Sequence, residues 1–332
     1  MRRVLSSAMM AAVMLVVFIL GPGFARAQDS VTLRTDWTIF PHHLPFYLAL
    51  ARGYYKEANL DVKIFEGKGS NTTVQLVGNG SDTFGFADAA AAAKSISVGL
   101  PVKVVMGIIQ RNTGALVFPA DRGIRTPQDL KGKTISVCAG DGPSIVLPAY
   151  LRAVNLSLSD IKLVTVDCSA KYPIVVQGRA DAAASYGPAG KTVMENAGHK
   201  GGIGLLDYAD AGIFLPSHGI VASLKTIETR SDMVRRFVAA TARGWVEARK
   251  NPDAAVEAGV SSFTLLKGRE QRYKAGLEDY LRYLDTPGTV GKPFGWQSAE
   301  EWTKAEAIMV QYMDLKPQSS VNVYFTNDFI PK

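Results

Sequence analysis

VTLRTDWTIFPHHLPFYLALARGYYKEANLDVKIFEGKGSNTTVQLVGNGSDTFGFAD, residues 31–88, alternates between strand-like and helix-like text. VTLRTDW is β-rich and ends in a polar–aromatic pair. PFYLALARGYYKEA has helical periodicity and predicts one helix, and LDVKIFE predicts a second strand. The tight loop Gly67-Lys68-Gly69-Ser70 feeds a helix starting near Asn71, and TFGFAD closes the unit as a third strand. Strands alternating with helices over short links predict an α/β fold, a parallel sheet with helices on its faces. In such sheets small molecules bind beyond the carboxyl ends of the strands, where helix N-termini also point. That rule selects Asp36 and Trp37, then Ser70, Asn71 and Thr72, then Asp88.

Upstream, Met1-Arg2-Arg3 precedes an apolar run, a Gly21-Pro22-Gly23 breaker and the small-residue site Ala25-Arg26-Ala27. This is the pattern of a secretory leader, residues 1–27, expected to be cut after Ala27. Its removal takes away three arginines and no acid, so the formal charge falls from +7 to +4. No Lys/Arg cluster is interleaved with aromatics, so no nucleic-acid partner is expected. The mature chain, about 305 residues, has room for two domains and reads as a soluble exported protein. Its two cysteines, Cys138 and Cys168, each follow a predicted strand. In an oxidising compartment they are either a disulfide or two buried thiols. No histidine pattern accompanies them, so no metal site is expected there.

Beyond Asp88 an Ala-rich helix and the strand VKVVMGIIQ complete the first set. Thr126-Pro127-Gln128-Asp129 is a helix start, with Thr as N-cap, Pro at the first position and an acid at the third. A second set follows: LKGKTISVCAG, the helix IVLPAYLRAV opened by Gly142-Pro143-Ser144, IKLVTVDC, YPIVVQG, DAAASY, a helix over 188–197, and GIGLL. HGIVASL is expected to return to the first sheet, and helical text runs from Ser231 almost to the end. Two α/β lobes are thus expected, 28–117 with 218–332 and 118–217, joined near Gly114–Phe118 and Pro216–Gly219. Two strands crossing between lobes make a hinge with a cleft.

These residues resemble a known family. Asp36-Trp37, His43, Phe46-Tyr47-Leu48-Ala49, Arg52-Gly53-Tyr54-Tyr55-Lys56-Glu57 and Leu60-Asp61-Val62 are similar to the opening of the NMT1/THI5-like group. Phe84-Gly85-Phe86-Ala87-Asp88 and the stretch from Thr126 to Ile135 resemble two further family motifs. The resemblance implies a two-lobe type II periplasmic binding protein of an ABC importer, a monomer that delivers its solute to an inner-membrane permease. Within the group the chain is most similar to importers of thiamine pyrimidine precursors, which implies that Asp36, Trp37 and His43 contact an aminopyrimidine. Ile39-Phe40 depart from the Pro-Asn of that branch. The fungal pyrimidine-making enzymes of the group carry a cysteine-rich cluster that this chain lacks, so the resemblance implies a binder and not an enzyme.

Read from the residues, Trp37 offers a ring face for stacking and Asp36 accepts from an exocyclic amine or a protonated ring nitrogen. A core tryptophan beside a capping aspartate is the alternative. His42 and His43 are adjacent, so one of them at most is expected to face the cleft. The helix ends at Ser70-Asn71-Thr72 and at Gly142-Pro143-Ser144 suit an anion as well as a polar ring atom, or simple N-capping. Converging, they would equally hold a sulfonate, nitrate or aromatic carboxylate. Tyr172 and Tyr186 sit at strand ends, as ring lids or as core. For Asp88 a ligand contact or a hinge salt bridge is open; for Arg111 the salt bridge is expected. No nucleophile elbow, HExxH or phosphate loop occurs.

Overall fold

The computed structural model describes residues 27–197, 199 and 202–332. The expected leader up to Arg26 lies outside them. The first lobe opens with β1 (Asp29–Arg34), α1 (Leu44–Ala51), α2 (Tyr54–Glu57), β2 (Leu60–Phe65), α3 (Ser70–Gly78), β3 (Phe84–Asp88), α4 (Ala89–Ser97) and β4 (Val102–Ile109). β1 lies parallel to both β2 and β3, as the alternation requires. Every residue of β3 is buried, the signature of a strand covered on both faces.

The single helix expected over PFYLALARGYYKEA is two. Gly53 adopts φ +74, a left-handed conformation that ends α1 at no steric cost and lets α2 start in a new direction.

The second lobe holds β5 (Gly114–Pro119), β6 (Thr134–Cys138), α5 (Gly142–Ala153), β7 (Lys162–Val166), α6 (Lys171–Val176), β8 (Ala182–Tyr186), α7 (Gly187–Asn196) and β9 (Ile203–Asp207). The two sheets run β2-β1-β3-β10-β4 and β7-β6-β8-β5-β9, where β10 is His218–Ser223. β10 returns to the first sheet as expected, antiparallel between β3 and β4. The first crossing comes earlier than expected. All of β5 pairs within the second sheet, so the chain changes lobes at 110–113 and again at 208–217. The second crossing ends against the first lobe, Ser217 N–H donating to the carbonyl of Ile109, the last residue of β4, at 3.0 Å.

The helical tail is α8 (Leu224–Thr229), α9 (Ser231–Lys250), α10 (Pro252–Ser262), α11 (Glu270–Leu281) and α12 (Ala299–Met313). α9 buries Met233, Val234, Phe237, Val238, Thr241 and Trp245, the stripe that a 3.6-residue period produces. Phe237 stacks on Phe84 of β3 with centroids 4.0 Å apart. The tail was expected to belong wholly to the first lobe, and α12 departs from that. It packs along α5 of the second lobe, and Arg152 of α5 donates to the Tyr312 carbonyl at 3.0 Å. The strand-like end beyond it returns to β4, where Val104 N–H donates to the Tyr324 carbonyl at 2.9 Å. Cys138 and Cys168 form a disulfide, tying the end of β6 to the loop before α6.

Candidate functional site

A cavity of about 40 Å³ lies between the lobes at the carboxyl ends of the strands. The first lobe contributes Asp36, Trp37, Phe40 and His42; the second contributes Asp141, Cys168, Lys171, Tyr172, Tyr186 and Ala189. The volume admits a few waters and no aromatic ring. A ring-sized solute therefore enters only with the lobes further apart, the motion that two crossing segments permit.

Asp36 follows β1 and is 4 % exposed. His43 Nε2 lies 2.7 Å from its Oδ1 and His218 Nε2 lies 3.3 Å from its Oδ2. His42 Nε2 approaches Oδ1 at 3.6 Å, too long for a hydrogen bond. Burial pushes the Asp36 carboxyl up, but the imidazoles of His218, His42 and His43 outweigh it and hold the group well below the usual range. The carboxylate is thus ionised against the cavity. The tautomer of His43 follows from its other nitrogen. Phe40 N–H donates to Nδ1 at 3.0 Å, so the ring proton is on Nε2 and is donated to Asp36. Of the adjacent histidines, His42 faces the cavity; His43, which the resemblance put in the site, is fully buried behind Asp36. Burial lowers His42 to about 3, so its ring is neutral.

On the facing wall Lys171 is buried and pairs with Asp141, its ammonium 5.3 Å from the centre of the Tyr172 ring. Although burial disfavours the charge, Asp141 raises Lys171 above its ordinary value. Asp141 also caps α5, accepting from Ser144 N–H at 2.9 Å, and Ser144 Oγ accepts from Cys138 N–H at 3.0 Å. Tyr172 hydroxyl meets Ser185 at 2.8 Å.

The lobes touch at Asp88. It caps α4 through Ala90 N–H, and Tyr186 O–H donates to it across the cleft at 3.3 Å. Burial raises its carboxyl to about 6, against the pull of His218 and of its hydrogen bonds. A Cβ on Gly142 would lie 2.4 Å from the Tyr186 hydroxyl oxygen and 2.5 Å from the Asp88 carboxyl carbon, so only glycine lets the lobes meet there.

Asp36, Trp37, Tyr172 and Tyr186, expected at the site, are brought together; His43, Asp88, Gly142 and Ser144 stand directly behind. The helix-end residues differ. Ser70 does not cap α3, whose N-cap is Gly69; its Oγ accepts from Asp88 N–H at 3.1 Å. Asn71 N–H donates to the Gly140 carbonyl of the other lobe at 3.0 Å, and Thr72 is exposed. Arg111 bonds the Arg282 carbonyl and lies over the Tyr283 ring, in place of the expected salt bridge. Sequence reasoning missed Phe40, Asp141, Lys171 and His218, and of the adjacent pair it favoured His43 over His42. Phe40 and His42 share the turn after Asp36 and were within reach of that argument. His218 carried no local signal.

Two lobes, each a sheet flanked by helices, closing on a cavity at their strand ends define the periplasmic-binding-protein fold. The alkanesulfonate-binding protein SsuA from Xanthomonas axonopodis pv. citri, solved with MOPS, superposes with a TM-score of 0.68 at 15% identity, over 90% of this chain and 99% of that one. The NMT1/THI5 like family model matches residues 40–255, and the chain belongs to that family. Riboflavin-binding protein RibY of Chloroflexus aurantiacus is 26% identical over 316 residues, 93% of this chain and 88% of that protein. The formylaminopyrimidine-binding protein of Halalkalibacterium halodurans is 24% identical over 286 residues, 83% of each. A Candida albicans 4-amino-5-hydroxymethyl-2-methylpyrimidine phosphate synthase is 30% identical over 159 residues, 47% of this chain and 45% of that one.

Proposed function

We propose that this chain is the periplasmic solute-binding protein of an ABC importer, capturing a small amino-substituted heteroaromatic solute such as a thiamine pyrimidine precursor. The observation that carries the reading is the ionised carboxylate of Asp36 set among the rings of Trp37, Phe40, Tyr172 and Tyr186. An electron-poor ring stacks between aromatic faces, and its exocyclic amine or protonated nitrogen donates to Asp36. Closure then excludes water, and a solute without the matching donor leaves a buried charge unpaired. The names of the riboflavin and formylaminopyrimidine binders among its relatives support the class.

An anionic solute is less well supported. The N–H groups of Asn71 and Ser144 at the two helix ends already have protein acceptors, Gly140 and Asp141, and two carboxylates line the cavity. A synthase reading draws on relatives that match about half of the chain; the binding reading draws on relatives that match most of it.

Calorimetry with 4-amino-5-hydroxymethyl-2-methylpyrimidine, its formylamino analogue, riboflavin and an alkanesulfonate tests the proposal. A pyrimidine or flavin is expected to bind, and Asp36→Ala to weaken it by roughly a hundredfold, the loss of a charge-assisted bond of about 3 kcal/mol. Sulfonate binding untouched by Asp36→Ala would overturn it, as would recovery of a chemically altered solute by mass spectrometry.

A further inference from the structure

The chain contains four histidines, and three of them, from two distant segments, meet on Asp36. His43 and His42 come from the turn before α1 and His218 from the start of β10. Asp36, His42 and His218 offer ligand atoms that all lie within 4.8 Å of one another, and all three residues are buried. We propose that Asp36, His42 and His218 form a binding site for a divalent transition-metal ion of the zinc class, at the floor of the cleft.

His42 supplies the independent observation. It is 2 % exposed, and neither of its ring nitrogens has a hydrogen-bond partner. Burying a polar group without a partner costs about 1–3 kcal/mol, and a metal ion would relieve that cost. Its neighbours hold it in place without bonding it: the Tyr280 ring at 4.3 Å and the His43 ring at 4.1 Å.

The donor set fits. Two nitrogens and one carboxylate oxygen suit zinc, and cobalt or iron in the same oxidation state. Ligand distances of about 2.1 Å at a tetrahedral angle put donors about 3.4 Å apart. His42 Nε2 lies 3.6 Å from Oδ1 of Asp36 and His218 Nε2 lies 3.3 Å from its Oδ2. One donor atom from each of the three residues falls within 4.8 Å of the others, so small side-chain shifts bring the donors to ligand spacing. The supporting bonds are in place as well. His218 Nδ1 is 2.9 Å from the Ser217 hydroxyl, which can accept a hydrogen bond from Nδ1–H in the tautomer that leaves Nε2 free to ligate. His43, whose Nδ1 is engaged by Phe40 N–H, serves as a positioning residue that orients Asp36 through its Nε2 proton, the usual arrangement behind a metal-bound carboxylate. Among the described residues no lysine or arginine forms an ion pair with Asp36, so its ionised carboxylate is available to an incoming cation. Asp36 and His42 line the cavity, so the fourth position opens toward it.

This inference goes beyond the solute reading and is tested without organic solute, so either can fail alone. Chelator-stripped wild-type protein is titrated with Zn²⁺, with metal counted by mass spectrometry, and separately with Co²⁺, read by its visible d–d absorption. One equivalent of Zn²⁺ and an intense tetrahedral-type Co²⁺ band are expected. His42→Ala should weaken Zn²⁺ by at least 100-fold, His43→Ala by roughly 10- to 100-fold, and His199→Ala should leave it unchanged. The Co²⁺ spectrum of the wild type needs no variant, so it decides even where a variant folds poorly. Less than one equivalent of Zn²⁺ bound, or binding and spectrum insensitive to His42→Ala in a folded variant, would overturn the site.

Discussion

At the scale of single residues, the lobe seam sets two expectations. Asp88 titrates near 6 in the folded protein against an ordinary 3.8. Between those values the folded state keeps a proton that the unfolded chain has released. Its contribution is therefore complete below about pH 4, declines as pH rises, and is gone above about pH 6. Asp88→Asn keeps the α4 cap and removes this slope. Denaturation of both proteins from pH 4 to 7 should show wild type losing on the order of 3 kcal/mol relative to the variant; parallel curves would refute the raised carboxyl. Gly142→Ala drives a methyl into Asp88 and Tyr186. It is expected to cost roughly 1–3 kcal/mol of closure, read as a 10- to 100-fold loss of solute affinity with little change in thermal midpoint.

At the scale of elements, the disulfide and the helix break are the features to probe. The Cys138–Cys168 bond closes a 30-residue separation and anchors the turn leading into α6, whose first residues Lys171 and Tyr172 line the cavity. Cys138→Ser/Cys168→Ser should lower stability by about 2–4 kcal/mol, measured by urea denaturation, with no effect of added reductant on the double variant. Gly53→Ala forces an L-residue into φ +74 with nothing nearby to clash. The expected loss is about 1 kcal/mol from backbone conformation alone. Thr126 shows what local text can place: its N-cap and the Asp129 return bond at 2.7 Å are both present. The helix they start is a short 3-10 turn, because Gly132 and β6 follow at once.

At the scale of the molecule, α12 straps the second lobe while its continuation pairs with β4 of the first. Trp302 on α12 stacks on Phe325 beyond it, with centroids 5.6 Å apart, so the strap and the return segment move together. With the lobes spaced as they are here the cavity is too small for a ring, so the lobes part to admit a solute and close again around it. Small-angle scattering should therefore find the solute-free protein more extended than the solute-bound one, and an identical radius of gyration in both states would rule out hinge motion as the entry route.

The alternation of strand and helix text determined the class of fold, because periodicity records which face of each element is buried. Strand-end position singled out Tyr172 and Tyr186 and, together with the family resemblance, Asp36 and Trp37, and all four line the cavity. Tertiary structure decided which residues stand around Asp36. Whether His42 or His43 faces the cleft depends on a turn whose direction α1 packing sets, and His218 reaches Asp36 from 182 positions away. That His218 contact follows from where β10 inserts between β3 and β4, which local sequence does not encode. The same holds for α12: its apolar face is legible, but the partner for that face is chosen only when both lobes have folded.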